Sequence, residues 1–220
     1  MSETDSFIEE VSEEVRKDRL FAIMRKYGWI ALLAVLLMVS GTAYREYSLT
    51  QRTVEAEKTG DAILAALKLD SNIQRSEALG KIESRDQKTK MVLQLLRAAE
   101  LADASKPKQA SVALQKVKTL TEVGQAYTDL AKFKELLLEK TEISDEKRLA
   151  ELTKIASSAS PYQLLAGEQI ALIELESGQI KEALDRLSEL LQDAGVSDGL
   201  RQRASQLLIV LGETPNQMGQ

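Results

Sequence analysis

The sequence predicts an all-α chain: a single N-terminal transmembrane helix followed by a solenoid of short helical hairpins. Three observations predict it. Tyr27 to Tyr44 is a run of 18 residues without a charge. Beyond it Ala, Leu, Glu, Lys and Gln dominate, with no strand-like alternation of β-branched residues, which favours helix throughout. Gly178 and Gly212, each closing a helical pattern, stand 34 residues apart.

Residues 2–24 read as an amphipathic helix. Ser6 can cap it, and Phe7, Ile8, Val11, Val15, Leu20 and Ile23 fall at approximately helical spacing. Such a segment suits a docking or membrane-surface role.

The uncharged run follows Arg25 and Lys26. At helical rise its length is about 27 Å, close to a hydrocarbon core of about 30 Å. Ile30, Leu32, Leu33, Val35, Leu36, Leu37 and Val39 together favour insertion by roughly 2 to 4 kcal/mol, and no charge opposes them. Tyr27, Trp29, Tyr44 and Tyr47 sit where an interfacial aromatic belt belongs. The anchor residues are therefore Tyr27, Trp29, Ile30, Leu33, Leu36, Leu37 and Tyr44. Gly41-Thr42-Ala43 has the small residues that a signal peptidase reads. The preceding 26 residues, however, hold seven acidic and five basic side chains, unlike a short basic signal leader. The span is expected to stay attached. Arg16, Lys17, Arg19, Arg25 and Lys26 precede it and only Arg45, Arg52 and Lys58 follow nearby, so the positive-inside bias puts the N-terminus in the cytoplasm. The expected organisation is 1–26 as a cytoplasmic tail, 27–44 as the transmembrane helix and 45–220 as one domain on the far side.

That domain carries 24 basic and 27 acidic residues, a net −3, which leaves no strong footprint for nucleic acid. The chain has no Cys and no His. This rules out disulfides, Cys or His nucleophiles, and the Cys/His zinc sites, so the domain rests on its core alone. Nothing points to a cofactor. Ser-Lys and paired-carboxylate chemistry stay formally open, but Ser157, Ser158 and Lys154 sit at a helix end with no Gly-rich strand-turn context and read as cap and turn residues. No catalytic or metal site is assigned, and the chain is expected not to be an enzyme.

Past the span the spacing predicts helices over 46–69, 73–84, 87–104, 107–119, 122–140, 145–158, 161–177, 180–193 and 198–212. The breaks hold turn or cap residues: Asp70-Ser71-Asn72, Ser84, Ser105-Lys106-Pro107, Ser144, Ser158 to Pro161, Gly178, and Gly195 to Gly199. Pro107 and Pro161 suit first-turn positions. Helices this short need neighbours to bury an apolar stripe, which makes a repeat period the thing to look for. In "LLAGEQIALIELESGQIKEALDRLSELL", Ala171 precedes Gly178 by seven residues, Ala183 follows it by five, and Leu187 comes after. Small residues there permit a close crossing of two helices, and Gly178 suits the turn. With the interval of 34 to Gly212, this stretch resembles a tetratricopeptide repeat. "LRQRASQLLIVLGE" matches its first helix only, and earlier pairs are degenerate: Ala99 with Ala110 and Leu114, and a later one ending in Ala156 before Pro161.

The last helix carries Leu207, Leu208, Ile209, Val210 and Leu211 consecutively, apolar all round. One side can pack on the preceding helix. The other is covered by the tail "GETPNQMGQ" or neighbouring helices, or it contacts a partner through Ile209 or Val210.

"DSFIEEVSEEVRKDRL" followed by "RKYGW" at the membrane boundary, then a span and degenerate helical repeats, resembles a family of bacterial inner-membrane proteins. It is the ancillary subunit of the Sec translocon, and the likeness is to its alphaproteobacterial branch. The resemblance is specific over residues 5–50 and architectural beyond. It implies a periplasmic tetratricopeptide-like domain and association with Sec translocon subunits. It also implies a membrane-anchored periplasmic chaperone of the prolyl-isomerase type as neighbour, and help for exported polypeptides. The family offers no catalytic motif. The alternative is an oligomeric cell-envelope or division scaffold unconnected with the translocon. Stripes such as "AKFKELLLEK" would be its seams, although no heptad persists for three repeats.

Overall fold

The computed structural model describes residues 3–138 and 143–213, and for residues 3–23 and Ala31 the backbone alone. The described residues are helical, without strands: α1 (Glu3–Leu67), α2 (Asn72–Lys81), α3 (Gln87–Asp103), α4 (Pro107–Lys118), α5 (Gln125–Leu138), α6 (Asp145–Ala156), α7 (Gln163–Glu176), α8 (Ile180–Gln192) and α9 (Asp198–Val210). Contacts divide the chain into Met1–Lys58 and Thr59–Gln220.

The three segments expected over 2–24, 27–44 and 46–69 form the single helix α1. Charge marks the edges of the apolar run, and charge does not break a backbone. Gly28, Gly41 and Gly60 lie inside it, each costing about 1 kcal/mol against Ala, while Pro, the true breaker, first occurs at Pro107.

In the second unit each helix packs mainly on its neighbours in sequence. Four apolar clusters result, each drawn from three successive helices. Ala66, Leu79 and Leu93 join the end of α1 to α2 and α3. Met91, Ala98, Leu101, Ala110, Ala113, Leu114, Val117 and Ala131 join α3, α4 and α5. Phe133, Leu136, Leu152, Ile155, Ala166, Ile170 and Ile173 join α5, α6 and α7. Ala171, Leu187, Leu190, Ala204 and Leu208 join α7, α8 and α9. Helices α3, α5 and α7 thus serve two clusters each and need apolar residues on two faces, whereas α4, α6 and α8 need one stripe. That stripe recurs with spacings of four and seven: Ala110, Leu114, Val117; Arg148, Leu152, Ile155; Ala183, Leu187, Leu190, all buried.

Local chemistry explains the helix ends. The side chains of Ser71, Asp86, Ser144 and Ser197 accept the N–H of Gln74, Thr89, Lys147 and Leu200, three residues on, at each helix start. Ser84 lies in the break between α2 and α3, as expected, and accepts the N–H of Asp86, which is the cap. Pro107 opens α4. Pro161 does not open α7; it lies in the turn before the Tyr162 cap, and the Gln163 N–H reaches Ser160 O at 3.1 Å. Helix α5 begins at Gln125, after a bend over Thr121 to Val123, and its first turn is closed by Tyr127 N–H on Gly124 O at 2.9 Å.

Helices α3, α7 and α9 share one ending. After α7, Gln179 N–H donates to Glu174 O at 2.8 Å and Gly178 N–H to Leu175 O at 3.1 Å, with Gly178 at φ +76°. After α9, Glu213 N–H donates to Leu208 O at 3.0 Å and Gly212 N–H to Ile209 O at 3.1 Å, with Gly212 at φ +90°. After α3, Lys106 N–H donates to Leu101 O at 2.8 Å and Ser105 N–H to Ala102 O at 2.9 Å, with Ser105 at φ +56°. This paired bonding satisfies carbonyls that a helix end otherwise leaves open.

Candidate partner-binding surfaces

Among the described residues, one helix is long and apolar enough to cross a membrane. A window of α1 within Met24–Leu67 has mean hydropathy 1.6, and none of that window is buried. Tyr27, Trp29, Ile30, Leu33, Leu36, Leu37 and Tyr44 are all exposed, Trp29 at 63%. Lys26 Nζ lies 5.6 Å from the centre of the Tyr27 ring, so a cation and an aromatic face meet at the start of the run. The Thr42 hydroxyl donates back to Val39 O at 2.9 Å, so its own proton is paired within the helix. No charged side chain interrupts that surface between Tyr27 and Tyr44.

The residues of the repeat signature come together around α7 and α8. Ala171 and Ala183 are both fully buried. Gly178 forms the turn, and a Cβ there would meet nothing within 4 Å, so its glycine answers to the positive φ alone. Gly212 occupies the same place after α9. The equivalent of Ala171 in α3 is Ala98, seven residues before Ser105. Ala99, singled out from the sequence, is exposed, whereas Ala98 is buried. The one-residue error arose because the turn there is made by Ser105 and offered no glycine to count from. Sequence reasoning also missed Gly167 on α7, where a Cβ would stand 3.3 Å from Leu190 Cδ2. A glycine inside a helical pattern is the signal that could have found this close approach.

Buried or half-buried carboxylates tie the helices pairwise. Glu174 on α7 takes a two-pronged bond from Arg186 on α8, at 2.6 and 3.0 Å. Glu168, also on α7, receives Arg203 of α9 at 2.6 and 2.8 Å. Glu100 on α3 binds Arg75 of α2 at 2.7 Å. Glu135 on α5 accepts Lys118 at 2.7 Å and Gln115 at 2.8 Å, both from α4. Burial pushes the Glu135 carboxyl up, but the hydrogen bonds from Lys118 and Gln115 and the charges of Lys118 and Lys132 outweigh it. Its pKa settles below the ordinary 4.5. Hydrogen bonding to Glu174 raises Arg186 above its usual value. In the sequence these acids are indistinguishable from solvated ones.

At α9 the apolar run divides. Leu208 is fully buried, Leu207 and Leu211 are half-buried against the α7–α9 cluster, and Ile209 and Val210 are 59% and 82% exposed. The tail expected as an alternative cover, beyond Glu213, lies outside the described residues. The rest of the outer face is polar, with Gln202 and Gln206 exposed, so the apolar surface is confined to the last turn.

Two clefts lie on the described surface. One, of about 400 Å³, lies over Gly167 and Ile170 between α6, α7 and α8, with Arg186, Glu189 and Asp193 along one wall. The other, of about 510 Å³, separates α5 from α6 and is lined by Asp129, Lys132, Glu151 and Lys154. Near them Ser157 donates to Thr153 O and Ser158 to Ile155 O, both at 2.8 Å, and Lys154 Nζ binds Glu151 at 2.7 Å. Both hydroxyls serve the end of α6. The chain matches no family model, no curated protein and no solved structure.

Proposed function

We propose that the chain is a membrane-anchored interaction scaffold of the bacterial inner membrane, associated with the Sec translocon. In this reading α1 anchors it, the N-terminus is cytoplasmic, and residues 45–220 form a periplasmic tetratricopeptide-like solenoid that assists newly exported polypeptides. A membrane-anchored chaperone of the prolyl-isomerase type is its neighbour. The reading assigns no catalysis.

The observation that carries the proposal is the pairing of an exposed, uncharged helical run with a series of hairpins that share clusters three helices at a time. Such a series resembles a solenoid, whose extended surface suits polypeptide segments. The basic residues before Tyr27 support the orientation, and the likeness of residues 5–50 to the translocon subunit supports the partner.

The test is site-specific photo-crosslinking in cells, with the reactive residue at Leu36 in the span and at Val210 in the domain. Capture of translocon subunits from Leu36, and of the chaperone or exported chains from Val210, is expected. Capture of envelope proteins without any translocon subunit overturns the reading. Protease added to spheroplasts should degrade residues 45–220 and spare an epitope at residue 3; the reverse pattern overturns the orientation.

A further inference from the structure

We propose that the cleft over Gly167, between α6, α7 and α8, is a binding site for a basic group on an aliphatic stem: the side chain of a lysine carried by a polypeptide segment. The inference deepens the reading above. It rests on the claim that the helical series meets exported polypeptides, and it names what one site recognises in them.

The choice of residues on α7 creates the opening. Helices α3, α7 and α9 each end at a positive-φ residue, and the eleventh position before it is Gln94 on α3, Gly167 on α7 and Arg201 on α9. The eighth position is Arg97 on α3 and Ile170 on α7. On α3 the long side chain of Arg97 lies over α2, where a Cβ at Gly80 would stand 3.2 Å from its Cζ. On α7 the missing side chain leaves a cleft of about 400 Å³ with Gly167, Ile170 and Leu190 in its lining. An aliphatic stem meets carbon there.

The rim is rich in hydrogen-bond acceptors. Thr153 donates its hydroxyl proton to Leu149 O and Ser157 donates to Thr153 O, both at 2.8 Å, so these hydroxyls offer the cleft lone pairs alone. On the α8 wall, Asp193 uses one oxygen to accept the Gly195 N–H at 2.7 Å and keeps the other. Glu189 beside it is exposed. Arg186 is the one base in the lining, and its Nε and Nη2 are taken by Glu174. Among the described residues it gives no hydrogen bond to Glu189. The Gln163 amide can turn either its oxygen or its nitrogen to the cleft. The last turns of α6 and α8 border the cleft with the first turn of α7, two negative dipole ends against one positive. An ammonium group, with three donors and no acceptor, fits this rim.

Shape and charge select a polypeptide as the source. The cleft is open to solvent, so it does not enclose a small free amine as a ligand pocket does, whereas a chain segment adds contacts on both sides of its lysine. Residues 45–220 carry a net −3, so copies of this chain repel one another while a basic segment is attracted. Residues 214–220 contain no base.

The experiment uses the full chain in mild detergent at physiological ionic strength. The probe is a labelled peptide of alanine, leucine and serine with a single central lysine. Fluorescence anisotropy should show saturable binding. Glu189→Gln combined with Asp193→Asn should weaken it about tenfold with an unchanged thermal melt. Glu182→Gln combined with Asp185→Asn removes as much charge from exposed sites of α8 outside the lining, and should leave binding nearly unchanged. Ser157→Lys brings a cation of the chain's own to the rim and should abolish binding. A peptide with norleucine in place of lysine should not bind. Absence of binding, equal binding of the norleucine peptide, or equal loss from the two neutralised pairs overturns the proposal. Displacement of the peptide by butylamine at an equal concentration overturns it in favour of a small amine. Self-association that is lost in Glu189→Gln with Asp193→Asn overturns it in favour of a second copy. Binding that emerges only in Lys140→Gln overturns it in favour of cover from within the chain. Peptide binding without translocon capture in the crosslinking experiment supports the site and removes the translocon reading. Translocon capture without peptide binding removes the site and leaves that reading standing.

Discussion

In α7–α8, Ala171 on one helix and Ala183 on the other are fully buried, and the two helices lie closely together along their length. In α5–α6 the stripe position of Ala183 is taken by Arg148, 4% exposed, and the helices meet at few points, with a cleft between them. Phe133 reaches that cluster beside Tyr162, their rings stacked 6.2 Å apart, where α3 and α7 use alanine. The comparison shows what a small residue at a crossing does. Leu152 and Ile155 keep the stripe of Leu187 and Leu190, so the apolar drive is similar in the two pairs. The approach distance is governed by the side chain standing between the backbones.

Six substitutions bear on this contrast. The largest effect is expected from Ala183→Leu, which forces a branched side chain into the tight crossing and should destabilise the second unit by about 1–3 kcal/mol in denaturant melts. Arg148→Leu, the same residue at the equivalent place in the open pair, should stay within about 1 kcal/mol of wild type or stabilise, because among the described residues Arg148 has one ion pair, 3.2 Å to Asp145. Equal losses from the two would sever the link between small residues and close packing.

Second in size, Glu174→Ala should cost about 1–2 kcal/mol by removing the two-pronged bond to Arg186, whose side chain is 35% exposed and is partly rescued by water. An unchanged melt would show that the tight pair owes nothing to its ion pair.

Third are the turns. Gly178→Ala should cost about 1 kcal/mol, all of it backbone, since an added Cβ meets no neighbour. Ser105→Gly, at the same turn after α3, should stabilise by about 0.5–1 kcal/mol, because a serine there pays for a positive φ that glycine adopts freely. Changes of the same sign at both sites would refute the equivalence of the turns.

The smallest effect is the pH dependence of Glu135. Its folded pKa is depressed, so its contribution is present above its ordinary pKa of 4.5 and is lost as pH falls through the lower folded value. Glu135→Gln should therefore flatten the stability profile below about pH 4.5 while leaving the neutral end weakened. An identical acid limb in both proteins would assign the acid sensitivity elsewhere.

Most helix ends lay within three residues of where local chemistry put them. Ser71, Ser144, Ser197 and Gly178 act through hydrogen bonds spanning three to five residues, so the information is adjacent in the chain. The exposed apolar run needed only its own composition. Where a signal was missing, reading failed: Ser105 adopts a glycine's conformation without being one, and Pro161 stops short of the helix it was expected to open.

Other features depend on which helix arrives beside which. Glu168 and Glu174 lie on one helix and look alike, yet one bonds Arg186 of α8 and the other Arg203 of α9, 35 residues away. Ile209 and Leu208 are neighbours of equal apolarity, and packing on the α7–α9 cluster buries one and exposes the other. Caps and turns are settled by short-range bonding that any copy of the segment would make. Burial and ion pairing are settled by distance across the fold, which a residue's own neighbours in sequence do not encode.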